Sequence, residues 1–200
     1  MRRHRADTWA DAYFLDTVGK RQTVLFDAGE GCSWTAHLGG LDLLQTRVIF
    51  ISHVHHDHIA GLAGLMENIR AVAWIKKAPL ATDDIIIYIP QREVWDNIYQ
   101  FFQFTTDGHN TAYTITAEEP KPGVFYDDGF VKVAAFETQH MKRTEGGRFR
   151  RWNADQGLKE VYAWSFWLSM EDQKNSVTLQ TINYVHSLYP EHHFMVFLLT

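Results

Sequence analysis

Apolar residues gather in short runs along the chain, each bounded by turn-forming residues, and the runs sort by length and spacing into strands and helices. Residues 12–17 and 22–26 read as two strands joined by the turn Val18-Gly19-Lys20-Arg21. The segment Asp27-Ala28-Gly29-Glu30-Gly31 breaks the pattern, and a helix is expected after it through about Leu44. Residues 47–51 are β-branched and apolar, as a strand buried on both faces requires. A helix follows over 61–76, then another buried strand over 84–89. Residues 92–104 carry helical spacing, with Trp95, Tyr99 and Phe102 on one stripe that is most simply a packing face. Downstream the chain turns β-rich: strands are expected at 113–117, 124–126, 130–136, 161–169 and 177–182, with Asp127-Asp128-Gly129 as a hairpin turn. Alternating strands and helices followed by a run of strands suit two sheets packed together with helices outside.

Composition narrows the class. Two hundred residues, 46% hydrophobic and 22% charged, fit one folded domain over residues 1–200 and exclude wholesale disorder. Apolar runs stay far below the roughly 18–20 residues of a spanning helix, so no membrane partner is expected. Nothing in the first residues reads as a signal peptide, and a single cysteine, Cys32, fits a reducing, cytoplasmic setting. Cys32 has no activating context and reads as a small buried residue. A net charge of −5 is not that of a protein gripping nucleic acid by bulk electrostatics, although bound cations could hold a phosphate locally.

Eleven histidines are the unusual count, and they cluster. Ser52-His53-Val54-His55-His56-Asp57-His58 follows a buried strand and precedes a Gly-Leu-rich helix start. On an extended loop the side chains of His53 and His55 point to one side, while Asp57 and His58 lie where the chain turns toward the helix. Neutral imidazoles with a carboxylate suit Zn²⁺ and related divalent ions.

His-x-His-x-Asp-His after a buried strand resembles the signature of the metallo-β-lactamase superfamily. Residues 25–31, ending in Asp-Ala-Gly-Glu-Gly, are similar to the corresponding turn of its ribonuclease Z branch, the endonucleases that trim tRNA 3′ ends. Residues 51–65 resemble that branch's metal loop and following helix, with Ala63 where proline is usual. Residues 86–90 resemble its strand ending in proline, and residues 129–140 its strand leading to a third metal histidine. The resemblance implies an α/β fold, the αββα four-layer sandwich, here incomplete in its C-terminal half. It implies a metal-dependent phosphodiesterase with two divalent metals, zinc foremost, manganese or iron otherwise. His53, His55 and His140 would hold one metal, Asp57 and His58 the other. A hydroxide between them would attack phosphorus, with Asp57 orienting or deprotonating it. Asp27 would bond to the loop or to a ligand histidine and hold its ring in place.

The pattern fails toward the ends. The family's later bridging aspartate has no counterpart, since no aspartate follows Asp172. His186, His192 and His193 lack the surroundings of its final ligand, and the family's opening strand and Gly-rich turn have no counterpart before Asp7. The chain is therefore expected to be a fragment, a one-metal form, or a scaffold with impaired catalysis. Other readings on the same fold are cleavage of an ester, a sulfate ester or a lactone. Lys142, Arg143, Arg148, Arg150 and Arg151, and Arg2, Arg3 and Arg5, could steer a phosphate backbone such as a tRNA precursor, or be solvated loops. Gly29 and Gly31 serve the tight turn. Exposed sheet edges would favour a homodimer.

Overall fold

The computed structural model describes residues 2–5, 13–17, 22–108, 112–129, 131–137, 164–170 and 178–182. The chain divides into two compact units, Met1–Glu119 and Pro120–Thr200.

Among the described residues of the first unit, six strands form one sheet in chain order: β1 (Arg2–Arg5), β2 (Tyr13–Thr17), β3 (Gln22–Phe26), β4 (Thr46–Phe50), β5 (Asp84–Tyr88) and β6 (Thr114–Glu118). The first three pair antiparallel, and β3 through β6 run parallel. Parallel neighbours need crossovers, and helices supply them: α1 (Cys32–Leu38), α3 (Leu62–Lys76) and α4 (Arg92–Thr105), with a one-turn helix α2 (His56–Ile59) ahead of α3. Leu25, Ile49, Ile51, Ile85, Ile87 and Ile89 form a single core with Leu62, Leu65, Met66 and Ile69 of α3 and Trp95 and Phe102 of α4. The aromatic stripe of α4 is thus packing: Trp95 stacks on Tyr99 at 5.3 Å, and both Trp95 and Phe102 are buried. Tyr113 is anchored in the same layer, its buried hydroxyl donating to the Met66 carbonyl at 2.7 Å.

In the second unit, β7 (Gly123–Asp127), β8 (Val131–Glu137), β9 (Trp164–Met170) and β10 (Thr178–Ile182) form an antiparallel sheet ordered β10-β9-β8-β7. The Asp127-Asp128-Gly129 turn forms as expected. Gly129 adopts φ 79°, its N–H donates to Asp127 Oδ1 at 3.0 Å, and the Val131 N–H donates to Asp128 Oδ1 at 2.7 Å. Lys132 pairs with Asp127 across the hairpin at 2.9 Å, and this hydrogen bond holds the Asp127 carboxyl below its ordinary range.

Two elements depart from the sequence-based expectation. The helix expected through Leu44 stops at Leu38, because Gly39-Gly40 follows and Gly40 takes φ 71°, a left-handed conformation that ends the helix. A strand also forms where none was expected: Arg2–Arg5 pairs antiparallel with β2. Arginine has little strand propensity, but backbone pairing with β2 is enough to form the strand. Among the described residues no helix is long and apolar enough to cross a membrane.

The loop after β3 and the start of α3 touch at one glycine. A Cβ on Gly61 would run into the Gly29 carbonyl and Cys32 Sγ. Gly61→Ala should therefore cost about 3 kcal/mol, read as a lower urea midpoint. A loss under about 1 kcal/mol would mean that the two loops separate easily. The same packing covers Cys32, which is 1% exposed, and desolvation pushes its thiol up from 9.0 to about 12. At pH 8 the native protein should resist iodoacetamide and react only on unfolding. Because the unfolded thiol ionises above pH 9 and the folded one does not, stability should fall as pH rises from 9 toward 12.

Candidate metal centre

The site is built on the carboxyl ends of adjacent parallel strands, where an α/β sheet opens a crevice. β3 ends at Phe26 and delivers Asp27; β4 ends at Phe50 and delivers the segment from Ser52 to His58. Phe26 stacks on Phe50 and Phe50 on Tyr88, with ring centroids 5.1 and 5.3 Å apart, so the three strand ends share one aromatic floor. Backbone bonds hold the loops in register. The Asp27 N–H donates to the Phe50 carbonyl at 2.8 Å, the Ala28 N–H to the His58 carbonyl at 2.7 Å, and the Gly61 N–H to the Ala28 carbonyl at 2.8 Å.

Asp27 itself sits at φ 57°, in the left-handed region that aspartate tolerates better than most residues. It is 7% exposed, and its carboxylate is surrounded by donors. Oδ1 accepts the Ser52 N–H at 2.7 Å, and Ser52 Oγ lies 3.0 Å from Oδ1 and 2.9 Å from Oδ2. His58 Nδ1 lies 2.8 Å from Oδ2. A carboxylate only accepts, so His58 carries its proton on Nδ1 and turns Nε2 away from Asp27. That Nε2 lies 3.7 Å from Asp57 Oδ2, on a carboxylate about half exposed.

His53 is 1% exposed. Its Nδ1 is 3.0 Å from Ser52 Oγ and its Nε2 is 3.0 Å from His55 Nδ1, with the two rings edge to face at 4.6 Å. The His58 ring lies 3.9 Å from that of His53, centroid to centroid. The structure thus brings together His53, His55, Asp57, His58 and Asp27. His140 and the basic stretch 142–151 lie outside the described residues, as do His186, His192 and His193. Ser52, which sequence reasoning passed over, touches the carboxylate and reaches two of the rings. Its only sequence signal is its place directly before His53 at a strand end.

These donors fit a divalent cation. Two nitrogens about 2.0–2.1 Å from one tetrahedral zinc stand roughly 3.3–3.4 Å apart, close to the His53 Nε2–His55 Nδ1 spacing. His58 Nε2 and Asp57 Oδ2 make a second nitrogen–oxygen pair beside it. Among the described residues no three His, Cys, Asp or Glu side chains are grouped to hold an ion. The two pairs each supply part of a ligand set.

Residues 10–131 match the family model of the metallo-beta-lactamase superfamily. The chain is 31% identical over 157 residues to a ribonuclease Z from Archaeoglobus fulgidus, covering 74% of this chain and 47% of that protein. A ribonuclease Z from Listeria innocua is 29% identical over 137 residues, covering 67% of this chain and 41% of the relative. The chain thus spans about half the length of the relatives it matches. The human short-form tRNase Z has a similar structure at 20% identity, with a TM-score of 0.59 over 87% of this chain and 62% of the human one. That likeness fixes the fold as α/β of the metallo-β-lactamase type.

The buried carboxylate should govern the ring of His58. In Asp27→Asn the side chain keeps its shape and tolerates the left-handed backbone, but an amide nitrogen replaces one acceptor. The His58 proton should move from Nδ1 to Nε2, read by long-range ¹H–¹⁵N correlation in the metal-free protein, with a stability loss of about 2 kcal/mol. An unchanged ring would show that Asp27 does not set it.

Proposed function

The chain belongs to the metallo-β-lactamase superfamily, and on that premise we propose that it is a metal-dependent phosphodiesterase of the ribonuclease Z kind, acting at RNA 3′ ends with precursor tRNA as its substrate class. The observation that carries this reading is the convergence of His53 Nε2 and His55 Nδ1 to 3.0 Å, with His58 and Asp57 adjacent. The names of the relatives support the choice of RNA over the ester, sulfate ester and lactone substrates that the same fold accepts.

In this reading His53 and His55, with His140, hold one divalent cation, and Asp57 and His58 hold a second. Zinc is the metal proposed, with manganese and iron as alternatives that the same nitrogen and oxygen donors accept. Bound there, such cations acidify water and neutralise charge developing on phosphorus-bound oxygens. Asp57 has the exposed carboxylate of the set, which supports a role for its Oδ2 in orienting water or taking its proton. Asp27 is buried and fully engaged, so its part is to hold rings rather than to meet substrate. The basic stretch from Lys142 to Arg151 would steer the phosphate backbone. Both compact units are read as parts of one domain. The lone, buried Cys32 supports a reducing, cytoplasmic setting. Pairing with a second copy is supported by the exposed Trp74 and Ile75 of α3 and Phe101 and Phe104 of α4.

A second reading is a metal-binding scaffold with little turnover. One experiment separates the two. The purified chain is titrated with zinc against a chromophoric chelator, then assayed on bis(p-nitrophenyl) phosphate and on a precursor tRNA. The phosphodiesterase reading expects bound zinc and cleavage of both, with His53→Ala weakening zinc at least 100-fold and abolishing turnover. Bound zinc without cleavage of either substrate selects the scaffold. Undiminished zinc binding by His53→Ala removes the site assignment itself.

A further inference from the structure

Asp27 reaches His58 directly, but no contact joins it to His53; Ser52 stands between them. Its Oγ is within 3.0 Å of both Asp27 oxygens and of His53 Nδ1, and 3.5 Å from His58 Nδ1. A hydroxyl has one proton to give and lone pairs to receive. Two arrangements are open to it. If the proton pointed at His53 Nδ1, the lone pairs of Oγ would face two carboxylate oxygens at 2.9–3.0 Å with nothing between them. A buried carboxylate in that position would lose a charge-assisted bond and face negative density instead. The proton therefore goes to Asp27, and Oγ accepts from His53 Nδ1–H. His53 then presents the Nε2 lone pair, and in the metal-free protein His55 Nδ1–H donates to it across 3.0 Å.

We infer that Ser52 is a positioning residue: its hydroxyl relays the Asp27 charge to His53 and fixes that ring with its proton on Nδ1. One buried carboxylate thus sets two imidazoles, His58 by direct contact and His53 through a serine. The inference rests on the proposed role of His53 and His58 as ligands of two different cations, and from that it draws a division that neither residue shows alone. Removing the hydroxyl should disturb the His53 position and spare that of His58. Removing the Asp27 charge should disturb both.

The test uses the full chain. Long-range ¹H–¹⁵N correlation on the metal-free wild type should find His53 protonated on Nδ1; a proton on Nε2 overturns the inference without any variant. Ser52→Ala should leave the His53 proton distributed over both nitrogens and weaken one zinc equivalent by 10- to 100-fold, with the other within about twofold of wild type. Ser52→Thr, which keeps the hydroxyl, should restore both readings. Asp27→Asn should weaken both equivalents. Ser52→Ala with the His53 tautomer and both zinc affinities unchanged overturns the inference, as does equal weakening of both equivalents by Ser52→Ala. If the wild type takes up no zinc, the ligand assignment fails while the tautomer measurement still judges the serine.

Discussion

The site depends on one buried anion. Asp27 gives its two oxygens to a backbone N–H, a hydroxyl and an imidazole, all from the segment that follows the neighbouring strand. A carboxylate this removed from water is costly unless its lone pairs are met, and here three donors meet them, the Ser52 N–H, the Ser52 hydroxyl and His58 Nδ1. The bonds run both ways: the loop satisfies the anion, and the anion dictates the loop's path and the face each ring presents. Its left-handed backbone at φ 57° is held by the Asp27 N–H bond to Phe50, so the strain is supported by the strand pair rather than by the residue alone.

The sheet explains why these residues meet. Parallel strands β3 and β4 end at the same level, with Phe26 opposite Phe50, so whatever follows each strand emerges side by side. Asp27 and the histidine segment are separated by a full crossover in sequence, yet the register makes them neighbours. α1 and α3 then pack on the core side, and Gly61 permits the loop after β3 to lie against the start of α3. A one-residue slip between β3 and β4 would turn Asp27 to the wrong face and break every contact it makes.

Much of this was legible in the residues. Strands 84–88 and 123–127 and helices 62–76 and 92–105 announce themselves through runs and spacing, because their burial is strong and their boundaries carry Gly, Pro or Asp. The histidine cluster was visible because its donors are local in sequence. Ser52 was not, since a serine before a histidine is common and its meaning comes from Asp27, which only the strand pairing brings near. β1 escaped for a related reason: edge pairing with β2 decides the state of Arg2–Arg5, against its composition. The short α1 is legible in Gly39-Gly40, because a glycine pair ends a helix whatever apolar residues lie beyond it.

Charge links the proposed metal to the proposed substrate. The chain carries a net −5, and neither residues 27–31 nor residues 51–61 contain a lysine or arginine. Their formal charges are those of Asp27, Glu30 and Asp57, all negative, beside imidazoles that ligate in the neutral form. A phosphodiester approaching these two loops alone would meet repulsion. Two divalent cations would add four positive charges at the same place and reverse the sign of the local field. In the proposed reading the cations would therefore serve substrate binding as well as bond cleavage. In that reading these two loops would accept a phosphodiester only with their cations bound, whatever steering the basic stretch from Lys142 to Arg151 adds.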